Sequence, residues 1–217
     1  MIVNSDEEPH LEEWMENGRE LGHWDDERIK LLVAEDEEDL TAAMRAAFDF
    51  GADYFICDTR GGSTELNHAI IANSDFIVIP VFPTRGEIGS AFRSMEYVQE
   101  FLQSEDIPAL SGFLLNRVPT DKDGNFDPSK LSQDSREGWE ILEDFPHFQT
   151  KIPLREDFRI QIARGLLNKC RDKLKNDPAT AFRAPKFTKL LVYGVGILNE
   201  IDAALATQEE ARDVKEA

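Results

Sequence analysis

The chain has 217 residues, 41% of them hydrophobic, and a formal charge of −19, which suits a single α/β-sized domain with a sizeable core. Two cysteines, Cys57 and Cys170, exclude a disulfide scaffold, and four scattered histidines offer no metal-ligand spacing, so a reducing cytoplasm is the expected location. Met1 to Glu8 has neither the basic region nor the apolar run of a signal peptide. No uninterrupted apolar stretch approaches the roughly 20 residues of a membrane span, so membrane insertion is not expected.

In chain order, Ile2-Val3 reads as a strand remnant, and a helix carrying Trp14 follows Pro9. Ile29 to Ala34 predicts a strand, and Asp39 to Phe50 an amphipathic helix with Leu40, Ala43, Met44 and Ala47 on one stripe. Tyr54-Phe55-Ile56-Cys57 is a buried strand ending on Asp58, followed by a helix near Thr64–Asn73. Phe76 to Val81 is the clearest strand of the sequence. Glu87 to Gln103 predicts a helix and Ala109 to Asn116 another strand. Continuous apolar strands separated by helices predict a doubly wound, mostly parallel sheet covered by helices.

After Val118 the pattern loosens. Pro119 to Pro128 is a polar loop whose Asp121, Asp123, Asn125 and Asp127 imitate a calcium loop, but Gly124 stands in the wrong place and Ser132 where a bidentate Glu is needed. A helix over Ser129–Phe145, a short strand Thr150–Pro153, and helices near Asp157–Lys175 and Lys186–Ala206 follow. The expected organisation is one α/β domain over 1–206, helical from 155 onward, with a flexible polar tail over 207–217.

Charge is uneven along the chain. Residues 1–60 hold 18 acids against 5 bases, whereas residues 155–190 hold 10 bases against 4 acids. Arg164, Lys169, Arg171, Lys173 and Lys175 fall at helical spacing and are the candidate DNA-binding residues of a local basic face. A solvated helix surface accounts for the same charges equally well. No helix-turn-helix signature accompanies them.

The most informative stretch is Asp53 to Gly62. A carboxylate at the C-terminal end of a parallel strand, followed by Thr59-Arg60-Gly61-Gly62, lies where open α/β sheets bind ligands. In nucleotide hydrolases such an Asp holds magnesium or its water shell, and the glycines let the backbone approach the terminal phosphate.

Four segments in order resemble the ParA/MinD family of deviant Walker ATPases: Asp53–Gly62, Ser74–Val81, Phe113-Leu114-Leu115-Asn116-Arg117, and Thr150-Lys151-Ile152-Pro153-Leu154-Arg155. The run Asp58 to Asn67, with Ile70–Ser74, Tyr97-Val98 and Arg117-Val118-Pro119, resembles its VirC-type branch. The resemblance implies a P-loop-type fold, Mg-ATP as the family's cofactor and a homodimer. It also implies partners in DNA and in a relaxosome or partition complex, with a role in plasmid partition or conjugative transfer of DNA. It assigns Asp58 to magnesium through water and Asp6, with Asp58, to catalysis. Gly61 and Gly62 fall at the γ-phosphate, and Asn116, Arg117 and Pro153 around the adenine.

One family element is missing from these residues: no segment has the lysine-glycine-glycine-x-glycine-lysine-threonine form that cradles phosphates. Asn4 also stands where the family has the Asp that positions the attacking water. The family's first strand lies centrally in its sheet, so unpaired strand edges are expected here. A start placed too late, a relative without a P-loop and a mistaken analogy remain open, as does the absence of any cofactor for this chain. The expectation is a switch protein that is catalytically incomplete as it stands, with a non-catalytic DNA- or protein-binding module as the alternative.

Overall fold

The computed structural model describes residues 1–82, 84–122, 125–155, 158 and 163–216. They divide into two compact units, residues 1–73 with 156–191, and residues 74–155 with 192–217.

In the first unit, β1 (Ile2–Asn4) lies between β2 (Leu31–Val33) and β3 (Ile56–Asp58), all parallel, with Val3 opposite Leu32 and Cys57. Side chains alternate across the sheet, so Val3, Leu32 and Cys57 share one face. That face packs with α2 (Glu37–Phe50) and α3 (Glu65–Ala72) around Ala34, Leu40, Ala43, Leu66 and Ile70. Asp36 and Thr64 start these helices by accepting the N–H of Asp39 and Asn67, and Gly51 ends α2 in the left-handed conformation, φ 68°. The other sheet face is less covered, with Val33 and Ile56 about half exposed.

A second cluster of this unit joins α6 (Leu167–Asn176) to the first turns of α7 (Ala184–Glu216) through Leu167, Cys170, Phe187 and Leu190. The loop after α1 (His10–Glu20) holds α6: Lys169 pairs with Asp25 at 2.6 Å, and the N–H of Leu166 donates to the carbonyl of His23. Here Gly165, φ +79°, crosses the backbone of Gly18. A Cβ on Gly165 would lie 2.6 Å from the Gly18 Cα, which is why both positions are glycine.

In the second unit, β4 (Phe76–Val81) pairs in parallel with β5 (Leu110–Leu115). Beside them stand α4 (Arg85–Ser104) and α5 (Gln133–Leu142), with Met95, Phe113, Leu115 and Leu142 fully buried. The expected strand Thr150–Pro153 is not formed as such. Phe148 and Ile152 both donate to the far edge of β5, but Gln149 and Thr150 leave the ladder. Their N–H groups go instead to the Glu200 carboxylate of α7 at 2.6 and 2.7 Å. Gly196, one turn before Glu200, lies against Thr150 with no space for a Cβ.

Each unit leaves a strand edge unpaired among the described residues, as expected. β3 bonds only β1, through Ile56 and Asp58, so the Cys57 peptide faces away. β4 turns residues 75, 77, 79 and 81 toward β5, so Phe76, Val78 and Pro80 face the free edge.

Three expectations shift. The helix over Ser129–Phe145 is a 3-10 turn, Pro128–Lys130, followed by α5, because Ser132 caps a new start by accepting the Ser135 N–H. Helix α7 continues through residues 207–216, where a flexible polar tail is expected from the sequence. By length and composition alone, Ala181–Val214 is also apolar enough to span a membrane, although no uninterrupted run suggested it, and little of its most apolar window is buried. Phe187 and Leu190 at one end, and Gly196 and Glu200 further along, contact protein, while Val192 and Val195 between them are exposed. Asp123, Gly124, Glu156, Asp157 and Arg159 lie outside the described residues, so the calcium-loop reading and the start of the 157–175 helix have no structural counterpart here.

Candidate functional site

The candidate residues fall into two sets, one in each unit. In the first unit, Asp58 ends β3 at the C-terminal end of the parallel sheet, and Asp6 follows β1 at the same end. Burial, with the Asp6 charge adding to it, raises the proton affinity of the Asp58 carboxyl above the ordinary range, while His10 opposes them. The Ser5 hydroxyl and N–H both donate to the Asp58 carbonyl, at 3.0 and 2.9 Å, which fixes the backbone under a side chain that is partly desolvated but still reaches solvent.

Beyond it, Gly61 and Gly62 have nothing within 4 Å of where a Cβ would stand, and Gly62 holds φ +111°. The loop is tied from below by Asn67, 5% exposed, whose amide donates to the carbonyls of Arg60 at 3.0 Å and Gly62 at 2.6 Å. Asn67 was part of the recognised motif, but its tethering role was not read from the sequence. An Asn seven residues after a loop carbonyl carries no local signature.

Asn4 is turned inward. It is 2% exposed, donates to both Glu12 carboxylate oxygens at 3.1 and 3.0 Å, and accepts the Asp6 N–H. Its side chain therefore ties β1 to α1. Arg60, the cation nearest the glycines in sequence, is paired with Glu7. This end of the sheet thus gathers carboxylates and open backbone. Among the described residues, however, no three metal-ligating side chains come together, so a cation here would rest on Asp58 and Asp6 with water and a ligand supplying its other contacts.

The basic residues of the same unit are largely engaged. Lys169 is paired with Asp25, Arg171 with Asp172 at 2.7 Å, and the Lys173 ammonium donates to the Leu21 carbonyl at 3.1 Å. The Arg164 carbonyl accepts from His23 Nδ1 at 2.9 Å. Lys175 is exposed.

In the second unit, Asn116 and Arg117 follow β5. Arg117 holds a left-handed backbone, φ 54°, and its guanidinium lies over the Phe82 ring at 4.4 Å. Its N–H donates to the Asn116 side-chain oxygen at 2.8 Å. A non-glycine residue in this conformation costs about 1 kcal/mol or more and is kept where the surroundings over-determine it. Pro153 is fully buried and bridges to Val118, so it sets the position of this strand end from behind. Phe82, the platform beneath Arg117, had no signal in the sequence beyond following β4.

A family model described as VirC1 protein matches residues 1–205. The chain belongs to the VirC1 family. Among relatives of this VirC1-family chain, protein virC1 of Rhizobium radiobacter is 32% identical over 177 residues, covering 82% of this chain and 73% of that protein. Protein virC1 of Rhizobium rhizogenes is 32% identical over 178 residues with the same coverage. Two solved structures share the fold: Cyanthece apo McdA, TM-score 0.51 at 17% identity, covering 88% of this chain and 86% of that one, and the MinD cell division protein of Aquifex aeolicus, TM-score 0.50 at 18% identity, covering 88% and 82%. The expected ParA/MinD-like α/β fold and VirC-type branch are thereby established.

Proposed function

We propose that this chain is a ParA-like nucleotide-switch protein of plasmid partition or conjugative DNA transfer whose hydrolytic apparatus is incomplete in the sequence as it stands. The observation that carries the reading is the state of Asn4 and Arg60. The side chain where the family positions water is bonded into α1, and the loop's cation is neutralised by Glu7. Phosphoryl transfer depends on positioning and charge neutralisation, and neither is supplied by these residues.

The residues that remain fit part of a Mg-ATP site. Asp58 would hold magnesium through water, with Asp6 beside it, and the open Gly61-Gly62 backbone would meet the terminal phosphate. Asn116 and Arg117 would frame the base, with Pro153 behind them. Mg-ATP held between two copies would supply the shared contacts that join them as a dimer. Two free cysteines agree with work in a reducing cytoplasm.

A steady-state ATPase assay of this chain is expected to show no turnover above background. Turnover that disappears in Asp58→Ala would overturn the reading.

A second reading, a non-catalytic module that binds DNA or a relaxosome or partition protein, is favoured by the same neutralised loop. Its DNA arm needs a test chosen from the structure. Lys169→Glu would set a carboxylate against Asp25 and loosen α6, so Lys175 and Lys189, both exposed, are the sites to reverse. The double variant Lys175→Glu/Lys189→Glu is expected to lose low-salt retention of duplex DNA with thermal stability nearly unchanged. Retention equal to that of the parent chain would leave a protein partner as the reading.

A further inference from the structure

Two phenylalanines stand out on the surface of the first unit. Phe48 is 86% exposed and Phe182 is 80% exposed, values unusual for the largest apolar side chains of a folded unit. They differ in setting. Phe48 walls a groove of about 590 Å³ between α2 and α3, lined by the apolar Leu40, Met44 and Ala69 and by the charged Glu37, Asp49 and Arg45. Phe182 sits in the middle of the short 3-10 turn Ala181–Arg183.

The charges around the two are opposite. Residues 35–53, which include α2, hold seven acids against one base, Arg45. Residues 173–189 hold five bases, Lys173, Lys175, Arg183, Lys186 and Lys189, against one acid, Asp177. Arg183, next to Phe182 in the chain, and Lys189 are both exposed. A groove whose lining carries two acids and one base, on a segment that is acidic overall, and an aromatic side chain, the Phe182 knob, within a basic segment are complementary in sign.

The knob is also held ready. Asp177 organises the turn before it: its side chain accepts the N–H of Ala179 at 3.0 Å and the Thr180 hydroxyl at 3.0 Å, and its carbonyl accepts the N–H of Thr180 and Ala181. Directly after it, Phe187 and Leu190 anchor α7 to Leu167 and Cys170. A rigid apolar anchor loses little freedom on binding, which is what makes an exposed aromatic an effective contact.

We propose that the α2–α3 groove of one copy of this chain receives the Phe182 segment of a second copy. The contact is head-to-tail: the knob of one copy uses the groove of the next and leaves its own groove free. It requires no nucleotide and is separate from the switch described above.

The experiment is sedimentation velocity without nucleotide, over a concentration series, on the full chain, on Phe182→Ser and on Phe48→Ser. Both side chains are exposed, so both variants are expected to fold, and circular dichroism checks this. The parent chain is expected to gain mass progressively with concentration, and each variant to raise the apparent dissociation constant by about tenfold or more. The two variants mixed in equal amounts are expected to form a dimer that grows no further, because Phe48→Ser keeps an intact knob and Phe182→Ser an intact groove. Association unchanged by either substitution, or a mixture that fails to pair, overturns the proposal. A parent chain that stays monomeric throughout also overturns it, and leaves the groove to a basic segment of another protein.

Discussion

Two parallel strands, β3 and β5, end in residues of functional interest, and the two ends are built on opposite plans. Past Asp58 the backbone is open, the glycines have empty space around them, and one buried amide, that of Asn67, tethers the loop. Past Leu115 everything is determined: Arg117 is forced into a left-handed conformation, stacked on Phe82, and backed by the buried Val118 and Pro153. An end that must approach a charged group as it changes gains from few contacts. An end that recognises a flat, unchanging shape gains from many. The difference in packing at the two strand ends therefore follows the difference in task that we propose for them.

The largest expected effect comes from testing the packing of the two strands that lead to these ends. Leu115→Ala, at a position with no exposed surface, is expected to cost about 3 kcal/mol in urea denaturation. Ile56→Ala, on half-exposed β3, is expected to cost less than about 1 kcal/mol. Equal losses would break the contrast between a determined end and an open one.

Asn67→Ala addresses the tether itself. It removes two hydrogen bonds to loop carbonyls and is expected to cost about 1–2 kcal/mol. Amide exchange over residues 59–63 should accelerate while exchange near Arg117 stays unchanged. A loop that exchanges no faster would mean that it is held by something other than Asn67.

The smallest effect is electrostatic. The Asp58 carboxyl holds its proton more tightly in the folded chain than in the unfolded one, so the folded state binds more protons in the window between the two values. Stability contributed by this group is therefore present at low pH and falls as pH rises from the ordinary aspartate range through the raised one. Asp58→Asn should flatten that part of the stability–pH curve and leave the chain slightly more stable at neutral pH, with solvent screening keeping the gain small. An unchanged curve would mean that Asp6 and burial exert no net strain on Asp58.

Much of this was legible in the residues, because strands such as Phe76–Val81 and helices such as that over Glu37–Phe50 announce themselves by local periodicity. The Asp58 loop and the Asn116-Arg117 pair were legible as motifs. What escaped were bonds between residues far apart in sequence. Glu200 reaches back about fifty residues to take the N–H groups that dissolve the expected Thr150–Pro153 strand. Asp25 removes Lys169 from the basic face that charge counting had assembled, and Glu12 turns Asn4 inward. No pattern of spacing in the sequence encodes those partners.

Pro80 carries one more consequence. It stands in the register of β4 that faces the unpaired edge, where a peptide without an N–H breaks no existing ladder. Any strand that tried to extend the sheet there would find donors at Phe76 and Val78 but none at Pro80. Open edges of this kind are templates for indiscriminate aggregation, and a single missing donor shortens the template. The proline thus shortens that template along an edge that is unpaired among the described residues.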